Sequence, residues 1–288
     1  MPSFRKFWPN LPLLVRASLI GLLVTAAGEF PWVVLARANV RLSPSFPWAV
    51  VAMGAWLYFY VKYLSGTGRP LATRAARVQS FRSRTLSKQV WLWSLAGGGL
   101  AAMSLIALEM LVLRMVRVPV AQAAQTSPIP IYSLLPLAVM GAFASAIPEE
   151  VGFRGYMQAP LERRYHPAFA ILFVTLLFGL SHLAHGLSVF LLFDFAFGLV
   201  YGVLAYCARS LLPGILLHCA FDIVLFVAGS HIAAAMAARP ITWSSGADPL
   251  FLVFSVVFLL FGGCAVYAFR NLAGTARVSH AAAGVPPS

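Results

Sequence analysis

Runs of about 20 predominantly apolar residues, each able to cross a ~30 Å hydrocarbon layer as a helix, recur along this chain. They fall at Leu11 to Ala36, Pro47 to Leu64, Val90 to Leu113, Ala138 to Leu161, Ala168 to Gly186, Leu187 to Cys207, Leu212 to Gly229 and Leu250 to Phe269. In lipid each spanning segment must satisfy its own backbone groups, so these stretches are helices. The expected fold class is all-α, a polytopic transmembrane helical bundle of about eight spans. Composition agrees: 60% of residues are hydrophobic, 10% are charged, and the mean hydropathy is +0.84, outside the range of soluble domains.

Three parts are expected. Residues 1–130 hold the N-terminal helices with a polar, basic linker at 65–89, residues 131–270 form the core, and 271–288 is a disordered tail whose Gly, Ala, Ser and final Pro pair offer no burial pattern. Arg5 and Lys6, an apolar run and Thr25-Ala26-Ala27 before Gly28 superficially resemble a signal peptide. Arg16 interrupts the run and more spans follow, so an uncleaved first helix is expected.

The net charge of +13 does not point to nucleic acid, because the basic residues lie between apolar stretches rather than on one helical face. They read as topology signals and as neighbours of membrane lipid. Lys62, Arg69, Arg74, Arg77, Arg82, Arg84 and Lys88 in and around the linker assign it to the cytoplasm, as a solvated loop near anionic headgroups. Alternation places both termini there with Arg163, Arg164 and Arg209, and puts Arg37, Arg41, Arg114, Arg117 and Arg239 on the other side. The excess of Arg over Lys fits a GC-rich bacterial genome, hence a bacterial inner membrane. Cys207, Cys219 and Cys264 stand apart without CxxC spacing, which indicates neither a disulfide framework nor a thiolate zinc site.

The chain has only eight acidic residues, and all but Asp248 lie in or at the end of an apolar stretch. An ionisable group there costs at least a few kcal/mol unless it is paired or faces water. The densest group is Pro148-Glu149-Glu150-Val151-Gly152-Phe153-Arg154. Glu150 and Arg154, four apart, are spaced to pair on one helical face, which leaves Glu149 for general-base chemistry. Phe178-Gly179-Leu180-Ser181-His182 follows, with His185 three residues on, and then His218 and Asp222, one helical turn apart. Three polar clusters in separate spans answer one another's burial problem if the helices converge. Glu29, Glu109 and Asp194 stand alone and read as packing residues first, Asp194 with a second role open as support for a histidine.

These motifs resemble those of the CAAX protease and bacteriocin-processing family of intramembrane peptidases, also called the abortive-infection family. Glu149, Glu150 and Arg154 match its EExxxR pattern, Phe178 and His182 its FxxxH, and His218 and Asp222 the HxxxD form of its third motif. The resemblance covers about Ala138 to Gly229. It implies hydrolysis of a peptide bond in a membrane-associated or lipidated peptide or protein substrate. Glu149 with His182 would activate water, His218 and Asp222 would stabilise the oxyanion or complete a metal site, and Arg154 would hold Glu150. The prenyl-protein branch has Asn in place of Asp222, and an ionised Asp repels an oxyanion. Zinc stays open as a cofactor, with Glu149, His182 and His218 as candidate ligands, although no HExxH motif is present. Two other classes compete: a proton-coupled transporter using the buried acids as a relay, and a non-catalytic immunity or scaffold membrane protein. Hydropathy also sets Glu149 in mid-span but His182 near a helix end, which requires a tilted or kinked helix if both serve one site.

Overall fold

The computed structural model describes residues 8–116, 129–185, 190–229 and 242–282, together with Ile232, Ala235 and Arg239. The protein is all-α, and no strand occurs among the described residues. Its principal helices are α1 (Leu13–Leu42), α2 (Trp48–Leu64), α3 (Arg74–Phe81), α4 (Lys88–Met115), α5 (Ile131–Glu149), α6 (Pro167–Ser181), α7 (Phe190–Ala208), α8 (Leu212–Val224) and α9 (Pro249–Ala282). Helix α5 runs without a break through a π-helical segment, Glu150–Gln158, and a last α-helical turn, Ala159–Glu162. Among the described residues six helices are long and apolar enough to cross a membrane. The other two expected spans fold as α2, 17 residues long, and α6, only 15.

Short α6 follows from its ends. Pro167 starts it behind His166, whose Nδ1 accepts from the Ala168 N–H. At the far end Ser181 Oγ and His182 Nδ1 both bond the Phe178 carbonyl, at 2.6 and 2.9 Å, and the chain tightens into the 3-10 turn His182–His185. The helix therefore reaches only about 22 Å.

Small residues let α1 lie against the α-to-π junction. A Cβ on Gly28 would sit 2.5 Å from the Pro148 ring, and one on Gly21 would sit 2.8 Å from the Gly152 carbonyl oxygen. Thr25 Oγ1 between them donates to the Pro148 carbonyl at 3.4 Å. Backbones approach this closely only where side chains are small. The buried layer beneath α2 joins Met53, Leu57 and Tyr60 to Val151 and Leu211.

The linker is folded rather than a solvated loop. Arg77 is buried and donates to the carbonyls of Tyr63, Thr67, Gly68 and Pro70, which supplies the loop with donors that water would otherwise provide. Phe81, at the end of α3, is buried in the same core layer as Met53. The expected disordered tail also differs, because α9 continues as a helix to Ala282. Leu272 is fully buried with Val90 and Leu204, and Ala276 is buried one turn on, so the segment does have an apolar stripe that packs. Residues 283–288 of that tail lie outside the described residues.

Charges sort to the two ends of the bundle. Arg82 of the linker meets Glu162 at 2.5 Å, and Arg114 meets Asp248 at 2.6 Å with Arg239 at 3.9 Å from the same carboxylate. These are the two groups of basic residues that alternation separates.

Candidate active site

The helix that starts at Ile131 changes from α to π between Glu149 and Glu150. From there Glu150, Arg154, Gln158 and Glu162 follow at intervals of four, and the middle two reach α7. Arg154 lies 3.4 Å from Glu150 Oε1 and donates through Nη2 to the Gly198 carbonyl at 3.1 Å. Gln158 Nε2 donates to the Gly202 carbonyl at 2.8 Å and to Glu162 Oε1 at 2.7 Å. The expected Glu150–Arg154 pair is thus one step of a longer ladder. Arg154 also stacks its guanidinium 4.3 Å from the Phe178 ring centre, which places the FxxxH phenylalanine as a lid on the ion pair.

Helix α8 brings His218 to this ladder. Its Nδ1 lies 3.1 Å from Glu150 Oε1, and its Nε2 lies 3.7 Å from both Glu149 Oε2 and Asp222 Oδ1. A carboxylate can only accept, so Nδ1 carries the proton in that bond and Nε2 is left facing Glu149 and Asp222. Tyr201 of α7 stacks on the imidazole, with ring centroids 4.7 Å apart and planes 18° apart, and fixes its plane from the other side. Ser145, one turn before Glu149, donates to Glu149 Oε1 at 3.3 Å.

The depth conflict between Glu149 and His182 is resolved by the lengths of two helices. Glu149 stands 13 residues before the end of its helix at Glu162, and nine of those residues are π-helical, which shortens the segment. The chain turns there and α6 climbs back for only about 22 Å, and because it stops short His182 reaches the cavity that Glu149 lines. His182 Nδ1 donates to the Phe178 carbonyl, which leaves Nε2 as the ring's basic nitrogen in the neutral form. Glu149, His182, His218 and Asp222 line one cavity of about 530 Å3.

Residues 131–224 match a family model described as Type II CAAX prenyl endopeptidase Rce1-like. Over those residues the chain is similar to that family. No curated protein and no solved structure gives a significant match. The matched residues include the four cavity residues just named, with Glu150 and Arg154 beneath them. Its boundaries leave out α1, which nevertheless contributes a wall of the cavity through Leu22, Thr25, Trp32 and Val33.

Two acids read as isolated in the sequence also line this cavity: Glu29 from α1 and Asp194 from α7. Nothing in their spacing signals this, because each stands on a helix of its own. Ser145 and Tyr201 escape a sequence reading for the same reason. The sequence reading also passed over Gln158 and Glu162, which continue the four-residue period of Glu150 and Arg154. The side chain of His185 lies outside the described residues.

For zinc the arrangement does not fit. Among the described residues no group of three His, Cys, Asp or Glu side chains is placed to hold one metal ion. His218 turns its Nδ1 to Glu150 and His182 turns its Nδ1 to a carbonyl, so Nε2 is the nitrogen left over in both rings.

Proposed function

We propose that the Rce1-like domain is an intramembrane endopeptidase that hydrolyses a peptide bond of a membrane-associated or lipidated peptide with water activated by Glu149 and His182. The single observation that carries this reading is the placement of His218 Nε2 between Glu149 and Asp222, at the wall of a cavity that His182 also lines. A water between Glu149 and His182 gives a proton to Glu149 as its oxygen bonds to the scissile carbonyl carbon. His218, protonated at both nitrogens, donates from Nε2–H to the oxyanion while Glu150 accepts from its Nδ1–H. Asp222 orients His218 rather than meeting the oxyanion, since an ionised carboxylate there would repel it. When the C–N bond breaks, the proton on Glu149 passes to the leaving amine. Arg154 holds Glu150 in place.

The substrate class follows from the walls. Leu22, Trp32, Val33 and Phe226 give the cavity an apolar side that suits a lipid chain or a hydrophobic peptide segment. By the positive-inside rule we take the Arg82 and Arg209 end as cytoplasmic, and we propose a bacterial inner membrane as the location.

Reconstituted protein should cleave members of a panel of peptides and lipopeptides in liposomes, with one 18O atom entering the new carboxylate from labelled water, and turnover should survive chelator. Proton flux across the same liposomes with every panel member intact would favour the transporter instead.

A further inference from the structure

A second cavity, of about 370 Å3, opens where the linker docks on the ends of two spanning helices. Arg82 and Arg84 come to it from the linker, Arg163 from the end of the Ile131–Glu162 helix, and Arg209 from the end of α7. Glu162 is the acid in its lining, and that carboxylate is already engaged by Arg82 at 2.5 Å and by Gln158 at 2.7 Å. Four guanidinium groups thus share the lining of one hollow with one carboxylate.

Three features indicate a built site rather than a scatter of topology arginines. Arg82 Nη1 is buried and has no hydrogen-bond partner among the described residues. Arg82 and Arg209 both adopt left-handed backbone, with φ of 43° and 49°, a conformation that costs a non-glycine residue about 1 kcal/mol or more. The Leu211 N–H donates to the Arg82 carbonyl at 3.3 Å and ties these two strained turns together. Strain of this kind persists where the surroundings over-determine it, and here both strained residues line one hollow. Partial burial and the neighbouring Arg82 also hold the Arg163 guanidinium below its ordinary pKa, a cost that a bound anion removes.

We propose that this cavity binds a phosphate group at the membrane surface, held by Arg82, Arg84, Arg163 and Arg209. Planar forked donors suit phosphate oxygens, and the cavity sits at the helix ends, at the level of lipid headgroups. Two sources share this chemistry: the headgroup of an anionic phospholipid, and a soluble phosphate.

The test is thermal unfolding of the full chain in detergent, titrated at constant ionic strength with inorganic phosphate, dihexanoyl phosphatidylglycerol, dihexanoyl phosphatidylcholine or chloride. A saturable rise in Tm with phosphate or phosphatidylglycerol, absent with the zwitterionic lipid and chloride, is expected. A response to phosphatidylglycerol alone identifies a lipid site, and a response to inorganic phosphate identifies a site open to the soluble ion. Arg163→Gln with Arg209→Gln should weaken the half-saturating concentration by at least about tenfold. Arg69→Gln with Arg74→Gln, which removes the same charge elsewhere on the linker, should leave it unchanged. Should the first pair fail to fold, exposed Arg84→Gln is expected to weaken binding severalfold. Equal responses to all four additives, no saturable response, equal losses in both double variants, or full affinity in Arg84→Gln would each overturn the proposal.

Discussion

Gly214 packs directly against the Glu150 carboxylate, where a Cβ on the glycine would stand 3.2 Å from Oε2. The other oxygen of Glu150 is held by His218 at 3.1 Å and Arg154 at 3.4 Å, so the carboxylate has little room to retreat. Gly214→Ala is predicted to shift Glu150, and His218 with it, by a few tenths of an ångström. Turnover should fall about tenfold while Tm changes little, since misplacement by ~1 Å can cost about a hundredfold and alanine favours a helix. Unchanged turnover would contradict the role given to Glu150 in setting His218.

Arg154 is fully buried between Glu150, the Gly198 carbonyl and the Phe178 ring. Arg154→Ala strands a buried carboxylate, and we predict a loss of about 3–5 kcal/mol. Arg154→Lys keeps the charge but loses the fork, so it should fall between wild type and Ala. Reversible unfolding in detergent measures both, and an Ala variant as stable as wild type would remove the ion pair from the account.

Gly152 is the point of closest approach between α1 and the π-helical segment. A Cβ there would lie 2.0 Å from Thr25 Oγ1 and 2.6 Å from the Gly21 carbonyl oxygen, and the second of these is backbone that cannot rotate away. Gly152→Ala should cost about 1–3 kcal/mol or more as the two helices part. Gly263→Ala in α9, with nothing within 4 Å, should instead be neutral or stabilise by up to about 1 kcal/mol. Protease resistance of the pair gives the comparison, and equal effects would contradict this packing.

Leu272 anchors the end of α9 against Val90. Leu272→Ala is predicted to destabilise by about 2–5 kcal/mol. Amide exchange over residues 271–282 should show protection in the wild type that the variant loses; rapid exchange in both would restore the reading of a disordered tail.

The span pattern and the three motifs were legible because both are local. Apolar run length reports a helix directly, and pairs such as Glu150 with Arg154 or His218 with Asp222 share a face by spacing alone. Contacts made between helices carry no such signal. Tyr201 is one tyrosine in an apolar run until α7 lies against α8, and Glu29 is a lone acid until α1 lies against Pro148. The tail misled for a different reason: Gly274, Thr275 and Ser279 dilute its hydropathy, while burial there rests, among the described side chains, on Leu272 and Ala276. The length of α6 escaped because hydropathy continues through Leu183 and Ala184 past the point where Ser181 and His182 take up the last carbonyl.

The most direct test of the central claim is the turnover of a cleaved peptide by wild type, Glu149→Gln and His182→Ala, each first shown by thermal unfolding to be folded. The account predicts that both variants lose about a thousandfold in kcat, the scale of a missing general base or its partner. Cleavage by folded Glu149→Gln or His182→Ala at the wild-type rate would contradict it.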